Sequence, residues 1–277
     1  MNLKVHKVAD ILKDLEDSIE EKRPFSLIRF GDGGIKLIHS YYFHDRKQMY
    51  EICKKEGLPG DSVNYIIELW ARYANEADYI DCLDVYFSKH FWDKYKKGFT
   101  HASDKTMMRM KMWKELYSRA GFDIHNIQYC NPEVNYLMCV VFPGKKTIFE
   151  IMKDKKICCI TSCPQAMEKL PNYNIDVIEI VGHYEKQFAK SFSNVVSLIE
   201  GRANLYDFWI VGAGELGRIY SGIIKAKGGR TIDMGFVIDY WYNQEIPARL
   251  KQFIDPHPLD KLKIVFTKYG KPYAEHL

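Results

Sequence analysis

The chain lacks several things that would place it quickly. It has no uninterrupted apolar run of about 18 residues, the minimum for a membrane-spanning helix, in any of its 277 positions. The N-terminal stretch "MNLKVHKVADILKDLEDSIEEKRPF" has no continuous apolar core of the kind an export signal needs, so a cytoplasmic location is expected. An excess of charge of one sign is also missing. The 40 Lys and Arg stand against 36 Asp and Glu, a net charge of +4, and no basic run is long enough to follow a nucleic-acid backbone. Nucleic acid is therefore not an expected partner, whereas a small anionic ligand suits the mild positive balance. There is no internal repeat and no zinc pattern. Seven cysteines are an odd number and sit inside apolar segments, as in Cys158 and Cys159, with no histidine cluster to complete a metal set. They read as reduced core residues. The segment "FPGKKT" resembles a phosphate-binding loop only at its end, because Cys139 occupies the place of the first glycine; an ATPase is excluded.

What is present is an alternation of apolar runs and amphipathic stretches. Val5, Val8, Ile11, Leu12, Leu15 and Ile19 fall at helical spacing. "FSLIRF" then reads as a strand. Helical patterns follow around 47–55, 63–77 and 104–120, with a short strand at 79–83. Beyond residue 155 the rhythm is regular: "KKICCIT", "IDVIEIV", "YDFWIV" and "RTIDMG" are strands, separated by the helical segments "CPQAMEKL", "EKQFAKSFSNVVSLIEG" and "ELGRIYSGIIKAKGG". Strands alternating with helices predict parallel βαβ units. The predicted fold is α/β: a single Rossmann-like domain over 1–277, its mostly parallel sheet flanked by helices, with a helical and aromatic insertion at about 41–143.

Two stretches carry the chemistry. In "FSLIRFGDGGIKLIHS" a strand ends in Arg29 and runs into Gly31, Asp32, Gly33 and Gly34. Glycines allow positive φ and close approach of the backbone to a bulky group, and opposite charges flank the turn. An ordinary strand-to-helix turn with a surface Asp is the plainer alternative. In "FWIVGAGELGRIYSGIIKAKGGRTIDMG" the residues Gly212, Gly214 and Gly217 form G-x-G-x-x-G after a strand, with Asp233 about 20 residues later at the end of the next strand. That pattern serves a dinucleotide, any diphosphate at a helix N-terminus, or a tight structural turn. "CCITSCPQAM" ends a strand before a proline-started segment, where Ser162 is a candidate cap. His183 and Glu133 are weaker candidates for facing the same cleft.

Taken together, "RFGDGG" at 29–34 and "DMGFVIDYW" at 233–241 resemble the two ends of the GT-D class of bacterial glycosyltransferases. In that class an R-F-G-D-G-E segment opens a Rossmann-like domain and a late D-I-G-H segment follows a strand, turn and helix. The resemblance implies transfer of a sugar from a nucleotide-diphosphate-sugar donor to a glycan or glycoprotein acceptor hydroxyl, aided by a divalent cation, Mn or Mg. Carried onto this chain, it makes Asp32 the metal ligand, Asp32 or Asp239 the catalytic acid or base, and Arg29, Gly31, Gly33, Gly34, Gly212, Gly214, Asp233 and Gly235 the donor-binding set. Trp241, between Tyr240 and Tyr242, is the candidate sugar platform. Two positions depart from the pattern: Gly34 replaces the motif's glutamate and Phe236 its histidine. A hard cation wants several carboxylate oxygens, so the loss at Gly34 bears directly on metal use. Two other functions stay open, an NAD(P)-dependent oxidoreductase and a catalytically silent nucleotide-sugar binding module.

Asp32→Asn keeps the shape of the turn and removes its charge. It is expected to lower sugar transfer or donor hydrolysis about 100-fold or more, measured as nucleoside diphosphate release; an unchanged turnover would remove Asp32 from the chemistry.

Overall fold

The structure is a computed structural model, and it describes residues 5–30, 37–38, 40–42, 44, 46–81, 117–130, 134–139, 146–181 and 187–243. Its centre is one eight-stranded sheet, and every described strand pairing is parallel. In chain order the strands are β1 (Val5–His6), β2 (Phe25–Arg29), β3 (Tyr79–Asp81), β4 (Tyr129–Cys130), β5 (Lys156–Thr161), β6 (Asn174–Glu179), β7 (Phe208–Gly212) and β8 (Arg230–Asp233). Across the sheet they run β1-β4-β3-β2-β8-β7-β5-β6. The described helices are α1 (Val8–Glu20), α2 (Arg46–Glu56), α3 (Val63–Glu76), α4 (Val134–Leu137), α5 (Ile148–Met152), α6 (Gln187–Arg202), α7 (Gly217–Ala226) and α8 (Val237–Asn243).

The central strands are buried on both faces, which is why they read as unbroken apolar runs. Alternate residues feed two separate cores. Phe25, Leu27, Ile157, Cys159, Phe208 and Ile210 point to one layer, with α1, α5 and Trp241. Ile28, Cys158, Ile160, Trp209 and Val211 point to the other, with α3, α6 and α7. Connections that step toward the β1 edge carry their helices on the second face (α3, α6, α7). Those that step toward the β6 edge carry α1, α5 and the 3₁₀ turn Pro164–Lys169 on the first. A single crossover hand requires that arrangement.

Three expectations change. Val5 does not extend the first helix; it pairs with Tyr129 at the sheet edge, and the helix begins at Val8 after Lys7, whose backbone is extended (ψ 150). The pairing partner lies far away in sequence and leaves no local signal. "CPQAMEKL" is a 3₁₀ turn rather than an α-helix, in a crossover close to the dozen-residue minimum for joining parallel neighbours. The range 41–143 is not a separate helical insertion in its described part. It contributes β3 and β4 to the sheet, and α3 to the layer over it. β3 matches the short strand expected at 79–83, whereas the two residues of β4 are too few for a period to register. Most of the predicted helix at 104–120 lies outside the described residues. No helix among the described residues is long and apolar enough to cross a membrane.

The tightest helix contact joins α7 to α3. A Cβ at Gly222 would overlap the Tyr73 ring and crowd its Cβ at 2.5 Å, so the two backbones approach as closely as a glycine allows. Gly222→Ala should destabilise the fold by about 1–3 kcal/mol through overpacking, read from the midpoint of urea unfolding. A change within about 0.5 kcal/mol would show that the helices can separate at no cost.

Candidate functional site

The chain leaves β2 and β8, neighbours in the sheet, toward opposite faces. Leu37 and Ile38, after β2, join the second core, whereas Val237 and Ile238, after β8, join the first. Such a divergence marks the carboxyl ends of neighbouring strands at which open parallel sheets usually bind a ligand. Arg29 and Asp233 are the last residues of these two strands, and Asp81 is the last residue of β3.

These side chains form a buried charged cluster. Arg29 Nε donates to Asp81 Oδ2 at 2.9 Å; the two side chains are 12% and 3% exposed. Asp81 Oδ1 accepts the backbone N–H of Phe30 at 2.5 Å. Asp233, also 3% exposed, accepts the backbone N–H of Gly235 through Oδ1 at 3.0 Å and faces the guanidinium groups of Arg29 and Arg218. Gly235 has φ +50, and a Cβ there would overlap Nη1 of Arg29. Only glycine combines that backbone conformation with room for the arginine.

Arg218, on α7, completes the cluster. Its Nε donates to the Arg29 carbonyl at 2.9 Å, its Nη2 to the Phe30 carbonyl, and its Nη1 to Glu215 Oε2. Its guanidinium carbon lies 4.9 Å from the centroid of Phe30 and 4.7 Å from that of Trp70, a cation held between aromatic faces. Burial dominates the acids. It pushes Asp81 up to about 7, against the opposing pull of Arg29 and the Phe30 N–H, and Asp233 up to about 6, against Arg29 and Arg218.

The sequence-predicted residues fall into three groups. Arg29, Asp233 and Gly235 come together as described. Gly31, Asp32, Gly33 and Gly34 lie outside the described residues, as do His183 and Glu133. The rest are placed elsewhere. A Cβ at Gly212 would overlap Ile238 and lie 3.2 Å from the Gly235 carbonyl, and one at Gly217 would lie 3.2 Å from Asp233 Oδ2. These two glycines therefore make room for the turn after β8 and not for a ligand. Gly214 has φ +52 and faces the Gln187 side chain. Trp241 is 1% exposed and packs on Phe149 at 5.7 Å between centroids. It is a core residue, not a sugar platform, because α8 turns that face into the sheet. Phe236 is instead 56% exposed. Asp239, half-buried at the start of α8, acts on Cys163, whose thiol is raised chiefly by burial and next by that carboxylate. The cap position of the 3₁₀ turn falls on Cys163 rather than Ser162, and the N–H of Cys163 goes to Thr161 Oγ1 at 3.0 Å.

Sequence reasoning missed Asp81, Arg218 and Asn135. Asn135 is buried and donates through Nδ2 to the Met234 carbonyl at 2.8 Å, pinning the turn after β8, while its Oδ1 has no hydrogen-bond partner. The signal for Asp81 was its place at the end of an apolar strand; for Arg218, a long cation on the first turn after G-x-G-x-x-G. Among the described residues no three His, Cys, Asp or Glu gather in a metal-ligating group. Asp81 and Asp233 are turned to arginines and backbone N–H groups, a set that does not fit a divalent cation.

No family model matches the chain, and no curated protein matches it. Two solved structures do, each over 87% of this chain and 82% of their own. One is a selenomethionine-substituted structure of domain of unknown function 1792, at 16% identity and a TM-score of 0.56. The other is described as showing that this highly conserved domain has a distinct glycosyltransferase fold, at 14% identity and a TM-score of 0.52. At such identities the likeness is one of fold: this chain has the α/β fold of that domain.

The raised acids give a pH signature with a definite sign. Asp233 has a folded value near 6 against about 3.9 in an unfolded chain, so the folded state holds more protons between these values and loses stability as pH rises through them. Asp233→Asn mimics the protonated acid. Its stability relative to wild type should therefore improve between pH 4 and pH 7, measured by denaturant unfolding at both. A relative stability that worsens over this interval would mean that the arginines outweigh burial.

Proposed function

We propose that this protein is a glycosyltransferase that moves a sugar from a nucleotide-diphosphate donor to an acceptor hydroxyl in glycan or glycoprotein assembly. The observation that carries the proposal is the coincidence of a fold shared with a domain described as having a distinct glycosyltransferase fold and a mostly buried arginine at the carboxyl end of β2, at the start of the "RFGDGG" segment. A leaving diphosphate needs charge neutralisation as the glycosidic bond breaks. Arg29 is the cation at that point, and its planar fork suits paired phosphate oxygens. The N-terminal end of α7, reached from β7 through Gly214, adds a favourable dipole for the same group. Asp32 and Asp239 are the acids proposed to serve the acceptor hydroxyl.

An oxidoreductase is less well supported. The fingerprint glycines 212 and 217 make room for Ile238 and Asp233, and Asp233, which would have to receive a ribose hydroxyl, is buried among arginines. The silent binding module keeps its support in Gly34, where the GT-D pattern has a glutamate. With the described acids unsuited to a cation, any Mn or Mg would depend on Asp32 and the donor's own phosphates. Donor binding is accordingly proposed to depend strongly on Arg29 and weakly on metal.

A calorimetric panel of UDP, GDP, UDP-sugars and NAD(P), each with Mn²⁺ and with EDTA, tests this. The expected result is binding of a nucleoside diphosphate or its sugar that persists in EDTA and weakens by about 1.5–3 kcal/mol in Arg29→Ala, the range of a charge-assisted hydrogen bond. Binding of NAD(P) alone would overturn the proposal. Donor binding with neither hydrolysis nor transfer would reduce it to the silent module, and a collapse of binding in EDTA would establish a metal site through acids outside the cluster.

A further inference from the structure

We infer that Arg218 is a positioning residue: it fixes the point at which the chain leaves β2, and through it the orientation of Arg29, tying together the turns that follow β2, β7 and β8. The inference deepens the glycosyltransferase reading, in that it concerns the same strand ends and rests on that reading for its ligand.

The geometry carries it. Residues 29–30 are the end of β2, where Arg29 is the last residue in register with β3, and side chains hold the polar groups of their backbone. Both carbonyls accept from one guanidinium, Arg218, and the Phe30 N–H is accepted by Asp81. The same Asp81 holds Arg29 Nε, so the backbone and the side chain of the strand's end are fixed from one carboxylate. Arg218 belongs to the first turn of α7 and is braced by Glu215 from the turn after β7. Arg29 in turn lies over Gly235, in the turn after β8. The end of β2 and the turns after β7 and β8, which lie more than 180 residues further along the chain, therefore share two arginines. Arg218 joins the end of β2 to Glu215, and Arg29 joins it to Asp81 and Gly235.

Lysine cannot reproduce this arrangement. A point charge on a flexible stem reaches one carbonyl at a time, whereas the planar fork spans both while stacked between Phe30 and Trp70. A purely space-filling role predicts something different: a methionine, with its similar stem, would then serve nearly as well.

The experiment uses the full chain with Arg218→Met and Arg218→Lys, and reads hydrogen exchange segment by segment together with calorimetric affinity for UDP and GDP, at a temperature where every variant is folded. The expected result is exchange at least about tenfold faster in the segment ending at residues 29–30, with β5 and β6 unchanged. Affinity should fall about tenfold or more in both variants. If Arg218→Met does not fold, Arg218→Lys decides. Unchanged exchange at 29–30, equal loosening of every segment, or a lysine variant indistinguishable from wild type would each overturn the positioning role. A wild type that binds neither nucleotide would sink the glycosyltransferase reading, and the exchange pattern alone would then confirm or overturn the role of Arg218 in fixing the end of β2.

Discussion

The two-residue backbone segment 29–30 is the constraint on which the candidate site depends. A parallel strand ordinarily ends where its ladder ends, and its last polar groups turn to water or to a following helix. Here the Arg29 and Phe30 carbonyls and the Phe30 N–H are handed to Arg218 and Asp81, so side chains fix the end of β2. Burying these charges costs desolvation that their mutual attraction only offsets. The cluster is thus a poor source of net stability, and its contribution is the fixed geometry it gives to the strand end. The cores provide the cohesion: two apolar layers, fed by alternate residues of the same strands, leave the carboxyl ends of β2, β3 and β8 as the place where polar groups accumulate.

The glycines follow from the charges. Gly217 makes room for the Asp233 carboxylate, Gly235 for the Arg29 guanidinium, and Gly212 for Ile238 on the helix that Gly235 launches. A pattern that in isolation spells a dinucleotide fingerprint is here explained by close approach of protein to protein. The physical requirement, no side chain where another group must pass, is the same in both cases. This is why the spacing alone did not separate them.

Legibility in the sequence tracked the locality of the cause. The strands β2, β5 and β7 were readable because burial on both faces writes a largely apolar run, and β8 because it follows a helix and a glycine pair. The α/β class and the parallel sheet followed from their alternation with helices. β1 and β4 were not readable, since a two-residue strand exists only through its partner. In the site, Arg29, Asp233 and Gly235 were found because they lie at strand ends beside glycine turns. Arg218 was missed because a cation in an amphipathic helix looks like a solvated face; only the tertiary placement of Phe30 and Trp70 buries it. Trp241 was misassigned for the converse reason. An aromatic beside other aromatics suggests a platform, but the direction in which α8 leaves β8 decides whether that face meets solvent or the core.

The two buried acids titrate within a cluster whose charges do not balance. Three carboxylates, Asp81, Asp233 and Glu215, face two guanidinium groups, so full ionisation leaves an unbalanced negative charge. Asp81 feels Asp233 as a like-charged neighbour, in addition to its own burial. Both arginines pull both acids down; the Phe30 N–H steadies Asp81, and the N–H groups of Gly235 and Arg29 steady Asp233. Burial raises both carboxyls, so a proton taken up by the pair as the pH falls relieves the imbalance. A protonated Asp81 retains one carbonyl oxygen and the lone pairs of its hydroxyl, so it can still accept from the Phe30 N–H and from Arg29. Protonation of Asp81 thus changes the charge of the clamp on residues 29–30 while leaving acceptor capacity for both donors.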